Sequence, residues 1–192
     1  MNSKTRDFVI SNGRRIIMQI QKLMGRYSLI GDRQFFAPEN FPWSREIERN
    51  WKAIRADLDQ VMQHREQLPN FQDISPDQKN IANDDKWKTF FFFAYGLRSE
   101  DNLRRCPSTA RLLEKIQGAK TAFFSILTGP KHIPEHTGPY KGVIRYHLGL
   151  IHSGQDAESL VTEIFECCAT TTYITRNSTV TTAITSISET GS

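Results

Sequence analysis

Four consecutive phenylalanines, Phe90 to Phe93 within KWKTFFFFAYG (Lys86 to Gly96), constrain the fold more than any other stretch. In a strand, successive side chains alternate between faces, so this run puts large rings on both sides of a sheet. Such a strand needs a core on one face and a covering layer on the other. Two more segments read as strands: KTAFFSILTG (Lys120 to Gly129), ended by a Gly-Pro turn, and GVIRYHLGLI, which follows a Pro/Gly-rich turn. Helices supply the other element type. After Ser44, which reads as an N-cap with Glu46 in the first turn, Ile47, Trp51, Ile54, Leu58 and Val61 form one apolar stripe at helical spacing. Apolar residues at 10, 16, 17, 20, 23 and 24 predict an earlier amphipathic helix ending at Gly25. CPSTARLLEKI predicts a short helix with Leu112, Leu113 and Ile116 as its buried face. The segment between Leu68 and Trp87, rich in Pro, Asn and Asp, reads as a loop. The class is α+β.

A chain of 192 residues is long enough for one domain with a substantial core. No apolar run approaches the roughly 18–20 residues of a membrane span, and the start does not read as a signal peptide. Cys106, Cys167 and Cys168 make neither a C-x-x-C motif nor an even disulfide set, so a reducing cytoplasm is the expectation. The net charge of +4 is unevenly spread. Residues 151–192 carry five acidic side chains against Arg176, a balance of −4, which leaves +8 for residues 1–150. That excess suits an anionic co-substrate or an acidic partner, or is simply a solvated basic face; no nucleic-acid motif accompanies it. Beyond Ile151 the texture changes. HSGQDAESLVTEIFECC could be helical, whereas residues 169–192 hold nine Thr and four Ser, a low-complexity composition that could make an edge strand.

The chemistry concentrates in HIPEHTGPYKGVIRYHLGL, from His132 to Leu150. His136, at the mouth of a turn and followed by Thr-Gly-Pro, can present an imidazole nitrogen to a metal, although a surface-loop histidine would look the same. The facial-triad pattern of many non-haem iron oxygenases would put a carboxylate two residues on, where this chain has Gly138. In the strand that follows, Val143, Arg145 and His147 share one face, and Ile144, Tyr146 and Leu148 the other. Arginine and histidine pointing together into an interior need an anion to meet them, and guanidinium binds a carboxylate bidentately. Strand parity alone does not separate that arrangement from a solvated sheet face.

FPWSREIERNWKAIRADLDQV, TAFFSIL…GPKHIPEHTGPYKG and IRYHLGL together closely resemble the aspartyl/asparaginyl β-hydroxylase family, a branch of the iron(II)- and 2-oxoglutarate-dependent dioxygenases. The resemblance covers about residues 35–151, between an N-terminal helical segment (1–34) and a divergent Thr/Ser-rich tail (152–192). It implies a double-stranded β-helix, or jelly-roll, core with N-terminal helices packed on it. It also implies hydroxylation of a C–H bond by molecular oxygen, coupled to conversion of 2-oxoglutarate to succinate and CO2. Family substrates are protein Asp/Asn side chains and, in some bacterial members, lipid acyl chains; the lack of a membrane segment argues mildly against the lipid role. By resemblance His136 is the first iron ligand, in a family that uses two histidines and no acidic ligand. Ser125, Arg145 and His147 match residues that bind the co-substrate. No side chain is given a catalytic role of its own, and His132 reads as a turn residue.

The family's second iron histidine and a later arginine for the distal carboxylate have no clear match. After Ile151 the sequence holds His152 and no other histidine, and its one later arginine, Arg176, stands ten residues after Glu166. A glutamate can ligate iron, but TEIFECCATTTY does not resemble the family. The expectation is an incomplete jelly-roll, and the alternative function is a truncated or frameshifted, non-catalytic remnant of the family.

Overall fold

The computed structural model describes residues 36–74, 84–128 and 143–151, Pro38 by its backbone alone. It also describes seven positions between Gly13 and Tyr27, and the backbone of short strands at 131–132, 152, 163–167, 174–175 and 180–188. Helices α1 (Ser44–Arg49), α2 (Trp51–Met62), α3 (Phe71–Ile74), α4 (Glu100–Arg105) and α5 (Pro107–Leu113) accompany eight strands. The strands are β1 (Trp87–Ala94), β2 (Leu97–Arg98), β3 (Ala119–Leu127), β4 (Lys131–His132), β5 (Val143–His152), β6 (Glu163–Cys167), β7 (Ile174–Thr175) and β8 (Val180–Ser188). Six of them form one antiparallel sheet in the order β2-β1-β3-β8-β5-β6, and β4 pairs with β7 in a second, two-stranded sheet. The α+β class holds.

The phenylalanine run behaves as its alternation requires, with one irregularity. Phe90 and Phe92 are buried on the helix side of the sheet, and Phe92 meets Phe124 of β3 edge-on at 5.0 Å. The register steps from Phe91↔Phe123 to Phe93↔Ala122, so Phe92 is the extra residue of a bulge. β1 ends at Ala94, two residues earlier than its sequence suggests. Tyr95 (φ 45°) and Gly96 (φ 92°) form a tight turn, with both residues in the left-handed region, before β2.

Against this face pack Ile47 of α1 and Ile54, Leu58 and Val61 of α2, all buried, as the apolar stripe predicts. The expected single helix is two. Asn50 sits between α1 and α2 at φ −101°, ψ 13°, and its Nδ2 donates to the Glu46 carbonyl at 2.7 Å. An asparagine side chain that takes a backbone carbonyl competes with helix continuation. Ser44 is not the N-cap: it is the first helical residue, fully buried, behind Trp43.

Three expectations about the later chain are corrected. HSGQDAESLVTEIFECC, a helix candidate by sequence, contains the strand β6, in keeping with the β-favouring Ile164 and Phe165 at its centre. His132 is not a turn residue but lies on β4, paired with Ile174. The Thr-rich stretch is no edge: β8 runs between β3 and β5, which do not pair with each other. Threonine is β-branched and suits the pleated backbone, which accounts for a strand in so polar a composition.

Candidate functional site

The face of the sheet away from α1 and α2 carries the candidate residues. Three cross-strand rows fix their arrangement. Thr89, Ser125, Thr182 and Gly149 align in one row, Phe91, Phe123, Ile184 and His147 in the next, and Thr121, Ser186, Arg145 and Glu166 in the third. Ser125, His147 and Arg145 therefore share a face, as strand parity anticipated for the last two. Because β8 separates β3 from β5, Ser125 stands about 10 Å across the sheet from the β5 positions. It is displaced along the strands by about 7 Å from His147 and about 14 Å from Arg145. Such a spread suits groups that hold opposite ends of an extended dicarboxylate rather than one carboxylate together.

Each of these side chains is conditioned by its surroundings. Ser125 is buried, and the Trp87 indole Nε1–H donates to its Oγ at 2.9 Å. With the oxygen occupied as an acceptor, the serine proton is left to donate elsewhere. Trp87 is itself held by Phe71, whose ring stacks on it at 4.0 Å with planes 6° apart. His147 is buried, and burial, reinforced by the Arg145 charge, lowers its pKa to about 3. It is consequently neutral at physiological pH, with one ring N–H to donate. Arg145 is half-buried, and the backbone ladder sets Glu166 of β6 opposite it.

Sequence reasoning missed Trp87. Parity groups Trp87 with Thr89, two residues on, but only the register of β1 against β3 sets that face beside Ser125. His136, the expected iron ligand, and Arg176 lie outside the described residues. His152 is the last residue of β5, paired with Val180, and Glu166 lies on β6. Among the described residues no group of three or more His, Cys, Asp or Glu side chains is placed to hold a metal ion. An open cleft of about 700 Å³ lies elsewhere, lined by Phe93, Arg98, Leu113, Glu114, Lys120 and Val143 among others, and none of Ser125, Arg145 and His147 borders it.

Comparison with known proteins decides the family. The profile of the aspartyl/asparaginyl beta-hydroxylase family matches residues 48–179, more than half of the chain. The chain belongs to the aspartyl/asparaginyl β-hydroxylase family. An ornithine lipid ester-linked acyl 2-hydroxylase of Rhizobium tropici is 46% identical over 136 residues, 71% of this chain and 48% of that protein. The human aspartyl/asparaginyl beta-hydroxylase is 32% identical over 112 residues, 56% of this chain and 14% of its own length. Aspartate beta-hydroxylase domain-containing protein 2 of Rattus norvegicus is 32% identical over 113 residues, covering 54% and 31%. The chain thus spans about half the length of the Rhizobium lipid hydroxylase and less of the other two relatives.

Proposed function

We propose that the protein is an iron(II)- and 2-oxoglutarate-dependent hydroxylase built on a jelly-roll-type core, acting on the acyl chain of an amino-acid-containing lipid. The observation that carries the reading is the gathering of Ser125, Arg145 and a neutral, buried His147 on one sheet face, a donor set suited to a dicarboxylate. In this reading Arg145 and the His147 N–H hold one carboxylate, and Ser125, fixed by Trp87, donates to the other end. His136 is the candidate iron ligand. Bound iron with 2-oxoglutarate supplies the oxidising power for C–H hydroxylation, and the protein's own part is to bind, orient and keep water from the reacting centre. The lipid substrate class is favoured by 46% identity to a lipid acyl hydroxylase, against 32% to the human aspartyl/asparaginyl enzyme.

The test is succinate release from 2-oxoglutarate with added iron(II), alongside mass spectrometry of ornithine lipids for a gain of one oxygen. Turnover lost in His136→Ala and in Arg145→Ala is the expected result. A wild-type protein that releases no succinate while binding 2-oxoglutarate normally would sink the catalytic reading. It would favour a second one, a non-catalytic member of the family. Oxygen gained by an Asp/Asn-containing peptide and not by the lipid would overturn the substrate assignment.

A further inference from the structure

The apolar stripe of the N-terminal helical segment is turned to solvent. Gly13, Ile16, Gln19, Ile20, Leu23 and Arg26 are helical, and the Tyr27 N–H closes the last turn on the Leu23 carbonyl at 3.2 Å. Ile16, Ile20, Leu23 and Tyr27 recur at i, i+4, i+7 and i+11, which is one helix face. They are 61%, 51%, 56% and 76% exposed. The stripe of α1 and α2 behaves in the opposite way, with Ile54, Leu58 and Val61 at 2% or less. Elsewhere among the described residues, exposed large hydrophobic side chains are scattered at Ile74, Tyr95 and Leu97. A contiguous stripe of four such residues marks a surface that something else covers.

Charge says what covers it. Between Ile10 and Tyr27 the sequence carries Arg14, Arg15, Lys22 and Arg26 and no acidic residue, and residues 1–34 hold seven basic side chains against Asp7 and Asp32. An exposed apolar helix face in a segment whose sequence is rich in cations, with no helix among the described residues long and apolar enough to cross a membrane, fits a segment that lies in the interface of an anionic bilayer. We infer that this helix is a membrane-surface anchor. Ile16, Ile20, Leu23 and Tyr27 enter the headgroup–acyl boundary, while the basic side chains meet anionic lipid headgroups. A folded enzyme held there reaches a substrate that never leaves the bilayer. The inference stands on the exposed stripe and its charge, and it gives the lipid reading a route to its substrate.

The experiment is co-sedimentation of the full chain with vesicles of phosphatidylcholine alone or containing roughly one-quarter phosphatidylglycerol. The wild type should pellet with the anionic vesicles, at least about ten-fold less with neutral ones, and less again as salt is raised. Ile16→Glu/Ile20→Glu/Leu23→Glu should abolish binding, and Arg14→Gln/Arg15→Gln/Lys22→Gln/Arg26→Gln should weaken it about ten-fold. Far-UV circular dichroism and the melting temperature should be unchanged, because the substituted apolar side chains face solvent. Failure of the wild type to bind anionic vesicles, or binding indifferent to both variants, overturns the inference. So does a wild-type dimer in the ultracentrifuge that ignores vesicles and that the glutamate variant dissociates, since the stripe would then be a contact between copies. The readout is binding and not turnover, so any of these results leaves the hydroxylase reading to its own test.

Discussion

His147 carries a pH dependence whose sign is fixed by its environment. Its folded-state pKa of about 3 lies below the ordinary value of 6.5, so the unfolded chain binds the extra proton between those limits. Its contribution is fully present above pH 6.5 and is lost as pH falls toward 3, an effect on the order of a few kcal/mol for so complete a burial. Melting temperature measured from pH 7 to pH 4 should therefore fall less steeply in His147→Gln than in the wild type; equal slopes would remove His147 as the cause. Asp57 is a second buried group with a defined task. Its carboxylate accepts from the Thr109 N–H at 2.7 Å and from the Thr109 hydroxyl at 2.9 Å, satisfying a free donor in the first turn of α5 from fifty-two residues away. Cys106, next to that helix start, has its thiol pushed up to about 12, first by burial and then by the Asp57 charge, so it is an inert, protonated filler. Asp57→Ala strands the Thr109 donors and should cost about 2–3 kcal/mol in urea unfolding at neutral pH. Trp87→Phe keeps the apolar ring against Phe71 but removes the donor to Ser125. It should raise the KM for 2-oxoglutarate about 3–10-fold at unchanged kcat, the split expected of a positioning residue, and cost about 1–2 kcal/mol for the lost buried hydrogen bond.

At the level of elements, β8 decides whether β2-β1-β3 and β5-β6 form one sheet or two. Thr182 faces Ser125 on one side and Gly149 on the other, so Thr182→Pro deletes a donor in the middle of the ladder and should cost about 3 kcal/mol or more. The same substitution at Ala94, beside the turn that ends β1, should cost less, a contrast that thermal melts of the two variants would reveal. Little of this was legible beforehand. The helical stripe from Ile47 to Val61 was plain because burial on one face leaves a period, yet the break at Asn50 was hidden, since it depends on a side chain choosing the Glu46 carbonyl. The phenylalanine strand was equally plain. β8 was obscured because its apolar residues, Val180, Ala183, Ile184 and Ile187, keep no strict alternation, and threonine serves a covered face as readily as a solvated one. At the candidate site, parity brought Arg145 and His147 together. It could not bring in Trp87 or Ser125, whose relation to them runs through β8.

For the whole molecule, ligand linkage gives a measurable sign. If iron(II) and 2-oxoglutarate bind the native state alone, saturation at about 100 times Kd adds about 2.7 kcal/mol, a rise in melting temperature of about 5–10 °C for a chain of this size. The shift should vanish in Arg145→Ala and persist in the Ile16→Glu/Ile20→Glu/Leu23→Glu variant, because the anchor and the co-substrate face are separate surfaces. The placement of β8 also governs how the chain is made. β3 and β5 each emerge from the ribosome long before residues 180–188, and neither has its inner neighbour until they arrive. Until then the sheet stays in two parts, and the edge of AKTAFFSIL lies open to any other extended chain. Translation speed and chaperone supply should thus set the yield of soluble protein more than the final stability does, with slower synthesis in the cold favouring recovery of the folded form.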